Sequence, residues 1–86
     1  MAELSVDLVS RDRKVWSGAA TRVIAPSADG EIGIMADHTP VLAVLRPGVI
    51  KVVTTTGPAL EARVTGGFMS VDNNLVTLVV DEISLV

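Results

Sequence analysis

The chain has 86 residues, of which 49% are apolar and 20% are charged, and its seven basic and ten acidic residues give a net charge of −3. A chain of this length forms one small domain, which we assign to residues 1–86. No cysteine is present, which excludes disulfides, cysteine-ligated zinc and a thiol nucleophile. The acidic balance argues against a nucleic-acid partner, because such partners attract basic surfaces.

The sequence contains no segment of the kind that directs a chain into or across a membrane. The first residues include Glu3 and Asp7, whereas a signal peptide begins with basic residues followed by an apolar stretch. The longest apolar run, Val41 to Leu45, has five residues, against about 20 for a transmembrane helix. We therefore expect a chain that stays on the cytoplasmic side and has no transmembrane segment.

β-Branched residues determine the expected fold class, since 27 of the 86 residues are Val, Ile or Thr. Alternating apolar and polar residues, as in Leu4–Val9, predict half-buried strands. In chain order the predicted strands are Leu4–Val9, Val15–Gly18, Ala20–Ala25, Glu31–Met35, Leu42–Leu45, Val49–Thr55, Leu60–Thr65, Phe68–Asp72 and Leu75–Val80. Such closely spaced short strands favour an all-β sandwich or flattened barrel.

The segments between the strands contain residues typical of tight turns. These segments are Ser27–Gly30, Arg46–Gly48, Thr56–Ala59 and Asn73–Asn74. Gly18 predicts a bulge or a change of sheet, and Gly66 with Gly67 predicts strained backbone or close approach between sheets. A single helical turn is possible only within Asp37–Ala43.

Residues able to perform chemistry are sparse. His38 is the only histidine, and its neighbour Asp37 points to the other side of an extended chain. A hydrolase would need His38 beside a hydroxyl such as that of Ser10, Ser17 or Thr39. A metal site would need further ligands, and the acidic residues are scattered singly. We predict no catalytic, metal or cofactor site, and no cofactor.

Partner binding is the remaining class of function. Several apolar residues surround Pro40, and they either close one end of the sandwich or form a surface for a partner. They are Met35, Val41, Leu42, Val44 and Leu45. From these residues alone, a stand-alone β-sandwich module that binds a peptide or small ligand is an alternative to a subunit of a larger assembly.

A series of short motifs resembles the N-terminal domain of the epsilon subunit of bacterial and plastid F-type ATP synthases. In order they are Leu8–Ser10, Val15–Gly18, Gly30–Ile34, His38–Pro40, Pro47–Ile50, Gly66–Phe68 and Asn74–Thr77. The resemblance covers almost the whole chain. It implies a ten-stranded β-sandwich of two five-stranded sheets. It also implies a non-catalytic subunit of the central stalk, which docks on gamma and on the c-ring and turns with them to couple ion-driven rotation to ATP synthesis.

The resemblance also assigns contact residues. Those matched to the loop that faces the c-ring are Asp29, Gly30 and Glu31. Those matched to positions against gamma or at the ring-side end are Ser10, His38 and Ala43. Met35–Asp37 departs from the family pattern, which often has Pro or Gly before the histidine. The path of this loop is therefore open.

Members of this family commonly continue into a C-terminal helical hairpin that can inhibit ATP hydrolysis. This chain ends at Val86, so we expect that it lacks the hairpin and cannot inhibit by that route, whether 86 residues are the natural length or part of a longer subunit. The resemblance places the subunit on the cytoplasmic face of the bacterial cell membrane, held there peripherally through the assembly.

Overall fold

A computed structural model of the chain describes residues 3–85, which form nine β-strands. The strands are β1 (Leu4–Ser10), β2 (Lys14–Ser27), β3 (Gly30–Met35), β4 (Val41–Leu45), β5 (Gly48–Thr54), β6 (Leu60–Val64), β7 (Gly67–Asp72), β8 (Leu75–Val80) and β9 (Ile83–Leu85). The all-β prediction is confirmed, and the possible helical turn within residues 37–43 does not form. Within the described range no helix has the length and apolar character needed to cross a membrane.

The fourteen-residue strand β2 organises the topology because it changes partners halfway along its length. Its first half pairs with β1, and its second half lies between β3 and β5. One layer therefore has the order β2–β1–β8–β7–β4, and the other has the order β3–β2–β5–β6–β9. At the end of β2, Ser27 also pairs with Leu45 of β4. The two layers thus belong to one continuous hydrogen-bonded network.

The expected β-sandwich is confirmed, but the expected ten strands in two five-stranded sheets are not found in the described part of the chain, because both layers share β2. Residues 3–85 contain nine strands in one network, because Val15–Gly18 and Ala20–Ala25 are parts of the same strand. Gly18 pairs regularly with Val6 and is not a bulge. The extra residues are instead Val15, where the register with β1 shifts, and Thr21, where the register with β5 shifts. These irregularities let one strand serve two layers.

Alternating side chains from every strand except β9 fill a single core between the layers. The buried apolar residues are Leu4, Val6, Leu8, Ala20, Val23, Ala25, Ile34, Leu45, Ile50, Val52, Ala62, Val64, Met69, Val71, Val76, Leu78 and Val80. Ser27 is the buried polar residue at the end of β2, and its hydroxyl donates to the carbonyl of Gly30. This hydrogen bond closes the turn into β3.

Two turns show the backbone conformations that their residues predict. Asn73 and Asn74 join β7 to β8 with φ angles of 49° and 62°, as a two-residue hairpin loop requires. Gly66 and Gly67 also have positive φ, of 145° and 141°. A Cβ on Gly67 would lie 2.8 Å from Val80 Cα and closer still to the Val79 carbonyl oxygen. The close approach at this glycine is to the neighbouring strand and not to the opposite layer.

Candidate functional site

The outer face of the β1–β8–β7–β4 layer carries a row of apolar side chains that run across all four strands. Val44 pairs with Phe68, Phe68 with Val79, and Val79 with Val9. Four adjacent strands place these side chains along about 14 Å, given a spacing of about 4.8 Å between strands. We call these four residues the apolar row. Leu42 flanks the row on β4.

The β4 and β7 part of the apolar row and the flanking Leu42 are exposed to solvent, whereas Val79 and Val9 are partly buried. Val44 is 64% exposed, Leu42 is 72% exposed and Phe68 is 46% exposed. Single exposed apolar residues are normal on a protein surface, but a contiguous set on one sheet face is typical of an interaction site. The neighbouring positions Ser70 and Thr77 are polar and partly exposed, so the row has a polar border toward the middle of the layer.

The end of the sandwich next to this row brings together two groups of residues that the resemblance assigned to partners. Ser10 pairs with Val80, and the same level of the sheet continues through β7 and β4 to Ser27 and Gly30. Ser10 and the turn Ser27–Glu31 therefore lie at one end of the fold. Following the strands between Ser10 and Ser27 gives a path of about 19 Å. We call this the docking end.

The turn from β2 to β3 presents two carboxylates at the docking end. Asp29 and Glu31 are both exposed, and neither forms an ion pair with a basic group within residues 3–85. The amide of Ala28 donates to the carbonyl of Val44 at 2.9 Å, which fixes the turn directly against the apolar row. The site therefore combines an apolar surface with a small acidic projection.

His38 lies at the opposite end of the sandwich. Its loop contacts the hairpin turn Asn73–Asn74, where the two lie beside the same cleft. Asp37 has a φ of 67°, its amide donates to Asn74 Oδ1 at 2.6 Å, and Asn74 Nδ2 donates to Asp37 Oδ1 at 3.4 Å. We call this reciprocal pair the Asp37–Asn74 clasp. It defines the loop path that the sequence left open, at the end of the fold away from Ser10.

Ala43 faces into the sandwich. It is partly buried and packs against the core, whereas Leu42 and Val44 on either side of it point outward. A partner that covers the outer face of β4 thus contacts Leu42 and Val44 first, and Ala43 contributes through the strand backbone. Strand alternation separates these positions, although all three lie within one segment of the sequence.

The groups needed for hydrolysis are not assembled. His38 Nδ1 lies 2.7 Å from the carbonyl oxygen of Thr39, and the Ser17 hydroxyl donates to Asp7 Oδ1 at 2.8 Å. The Ser10 hydroxyl donates to the Arg13 carbonyl at 3.3 Å, at the other end of the fold from His38. Across residues 3–85, no three metal-ligating side chains are grouped to hold a metal ion.

Several surface clefts remain, and they are shallow features of the strand ends. One of about 510 Å³ is lined by Ser10–Arg13, Arg63 and Asp81–Ser84, with charges of both signs. Another, of about 460 Å³, lies between the turn Ser27–Glu31 and strand β4. This second cleft connects the acidic turn to the apolar row, and so belongs to the docking end.

The sequence analysis missed Phe68, Val79 and Val9 as surface residues. The signal was present in β7, where Met69 and Val71 alternate with Phe68 and Ser70. Burying Met69 and Val71 forces Phe68 to the outer face. For Val9 and Val79, strand order was also needed, because their pairing through the parallel β1–β8 contact cannot be derived from periodicity.

Comparisons with known proteins agree with this architecture. A family model described as the beta-sandwich domain of the ATP synthase delta/epsilon chain matches residues 3–86. Chains of known structure with similar folds occur in the mitochondrial ATP synthases of Euglena gracilis and Tetrahymena thermophila. The first, in a structure with OSCP, F1 and the c-ring, gives a TM-score of 0.92 at 22% identity, covering 99% of this chain and 54% of that one. The second, in a structure of the central stalk and c-ring, gives a TM-score of 0.78 at 20% identity, covering 94% of this chain and 65% of that one.

Curated relatives are closer in sequence, and three of them are named ATP synthase epsilon chain. The Micrococcus luteus protein is 51% identical over 78 residues, covering 91% of this chain and 86% of that protein. The Streptomyces avermitilis protein is 45% identical over 80 residues, covering 93% of this chain and 64% of that protein. The Rhodococcus jostii protein is 44% identical over 86 residues, covering 99% of this chain and 70% of that protein. The resemblance found in the motifs is thereby confirmed, and the chain belongs to the ATP synthase delta/epsilon chain family, whose β-sandwich domain it contains.

Proposed function

We propose that this chain is a non-catalytic subunit of the central stalk of an F-type ATP synthase, where it docks between the gamma subunit and the c-ring. The observation that carries the proposal is the docking end, where a partly exposed apolar row and an acidic turn are joined within one rigid sheet. A binding surface of this composition fits a partner that covers the apolar centre and leaves charges at its rim.

The two parts of the docking end suit two partners. The apolar row lies on a sheet face and offers a broad contact, which we assign to gamma, with Ser10 at its border. Asp29, Gly30 and Glu31 project from the end of the sandwich, and we assign them to the c-ring, where carboxylates can pair with basic or amide groups. We also assign Ala43 to the contact with gamma, to which it contributes through the backbone of β4.

His38 defines the far limit of the proposed contact. It lies beyond the other end of β4, so a partner seated on the apolar row reaches His38 by extending along β4, two strands away from β8. In this role the chain transmits rotation through non-covalent contacts. It is then held peripherally at the membrane through the assembly, at the cytoplasmic face of a bacterial cell.

Charge reversal in the acidic turn tests the proposal. Glu31→Lys places a cation where the proposed contact needs an anion, and Asp72→Lys is the matched control, because Asp72 is an exposed carboxylate on β7 at the opposite end of the sandwich. Each variant is co-expressed with the other ATP synthase subunits, and the c-ring and gamma that co-purify with it are quantified. We expect Glu31→Lys to reduce the recovered c-ring several-fold and Asp72→Lys to leave it unchanged.

The thermal midpoint of each isolated variant separates docking from folding. Because Glu31 is exposed and forms no ion pair within residues 3–85, its replacement should change the midpoint by less than about 2 °C. Equal recovery of gamma and c-ring by the wild-type chain and both variants would contradict the assignment of the acidic turn. Failure of the wild-type chain to recover gamma at all would contradict the proposed function.

A further inference from the structure

Strand β3 has a free edge within residues 3–85. It pairs with β2 on one side and with no other strand. The carbonyl of Pro26 accepts a hydrogen bond from the Arg46 amide, so it points to the side of β2 away from β3. Because backbone groups alternate along a strand, those of Ala25 and Ser27 point toward β3. Their partners Gly30 and Ile32 therefore face β2. By alternation, the amides of Glu31, Gly33 and Met35 point outward from the free edge.

Gly33 lies at the centre of this edge without a conformational reason to be glycine. Its φ angle is not positive, and a Cβ added to it would have no other atom within 4 Å. It pairs with Ile24, whose partly exposed side chain lies on the same outer face. The missing side chain thus leaves a notch beside Ile24. A glycine inside a strand commonly marks the close approach of another backbone.

The edge lacks the proline and lysine residues that commonly protect edge strands from pairing, and Glu31 is its one charged residue. β3 has six residues, whereas the opposite edge strand β9 has three. Met35, which is 60% exposed, and Glu31 flank the notch. A second copy paired antiparallel about Gly33 would place each Glu31 carboxylate opposite a Met35 side chain, which is a poor match. A different chain can avoid this mismatch and fits the edge better than a second copy.

The free edge is continuous with the surface assigned to gamma. Glu31 and Ile32 of β3 line the same cleft as Leu42 and Val44 of β4, and its volume is about 460 Å³. A partner lying on the apolar row reaches this edge by crossing the cleft. We propose that an extended segment of gamma adds to β3 as a further strand, with its backbone beside Gly33 and hydrogen-bonded to the outward amides of Gly33 and Met35. This inference rests on the proposed function and specifies how gamma is held.

Hydrogen–deuterium exchange of the whole chain, alone and bound to its gamma subunit, tests the added strand. We expect the amides of Gly33 and Met35 to exchange at least about tenfold more slowly in the complex, since each becomes hydrogen-bonded. Gly33→Pro removes the outward amide and keeps the inward bonds of Ile32 and Ile34, and should weaken gamma binding about tenfold. Gly33→Ala keeps the amide and only adds a methyl group to the notch, so it should weaken gamma binding less than Gly33→Pro does, by no more than about threefold.

Each outcome has a distinct meaning. Slower exchange at Gly33 on binding gamma supports the added strand even if Gly33→Pro fails to fold. Unchanged exchange at Gly33 while gamma binds tightly overturns this inference and leaves the proposed function intact. If the Gly33 amide of the isolated chain becomes protected as the protein concentration rises, a second copy occupies the edge. If its protection requires the c-ring, the partner at the edge is not gamma. Either result overturns the inference.

Discussion

Truncation of Phe68 measures how much the apolar row contributes to binding. Phe68 is 46% exposed, so docking can bury about 90 Å² of a side chain that has about 200 Å² in all. At about 25 cal/mol per Å² this area corresponds to about 2 kcal/mol. We therefore expect Phe68→Ala to weaken the binding of gamma about 30-fold, as measured by isothermal titration calorimetry with the purified subunits.

Leu75→Ala is the matched control for this measurement. Leu75 is also 46% exposed and lies on the outer face of the same layer, but it pairs with Asp72 at the end away from the acidic turn. We expect it to change the affinity less than about threefold, since a residue outside the main contact contributes little. Equal losses for the two variants would refute the assignment of the contact to the docking end, and no loss for Phe68→Ala would refute a role for the apolar row.

Two further predictions concern the backbone that supports the site. Gly67→Ala should lower the free energy of unfolding by about 3 kcal/mol or more in urea titration, because a Cβ there collides with the Val79 carbonyl, while Gly33→Ala should change it by less than about 1 kcal/mol. Asn74→Ala should cost about 2 kcal/mol, since it loses the clasp to Asp37 and strains a residue at φ 62°, whereas Asn74→Gly should cost about 1 kcal/mol, since only the hydrogen bonds are lost. Equal effects for the two Asn74 variants would contradict the contribution of backbone strain.

Most of the fold follows from patterns that extend over a few residues. Alternation in Leu4–Val9 correctly predicted a half-buried strand, in which Leu4, Val6 and Leu8 are buried, and Asn73–Asn74 correctly predicted a tight turn. The division of β2 was wrong because a bend in a long strand and the end of a short one share the same local signal, a small residue between apolar segments. β9 was missed because its three residues are too few for any period to be visible.

The candidate site could be predicted only in part, because its residues come together through strand order. The resemblance identified the acidic turn and Ser10, and the structure brings both to one end. It grouped His38 with Ser10, whereas the two lie at opposite ends. Predicting the apolar row would have required knowledge of the parallel pairing of β1 with β8, which joins segments about 70 residues apart in the chain.

The route by which the docking end would carry load follows from its hydrogen bonds. A force applied at Glu31 passes through the β2–β3 ladder to Ser27, and from the Ala28 amide to the Val44 carbonyl at 2.9 Å, without crossing a long loop. Val44 is joined to Phe68 in the next strand, and so to the whole apolar row. Since β2 belongs to both layers, shear of one layer over the other requires breaking its paired backbone. In the proposed function, the β-sandwich of residues 3–85 can therefore pass force from one partner to the other through paired backbone, although its core is small.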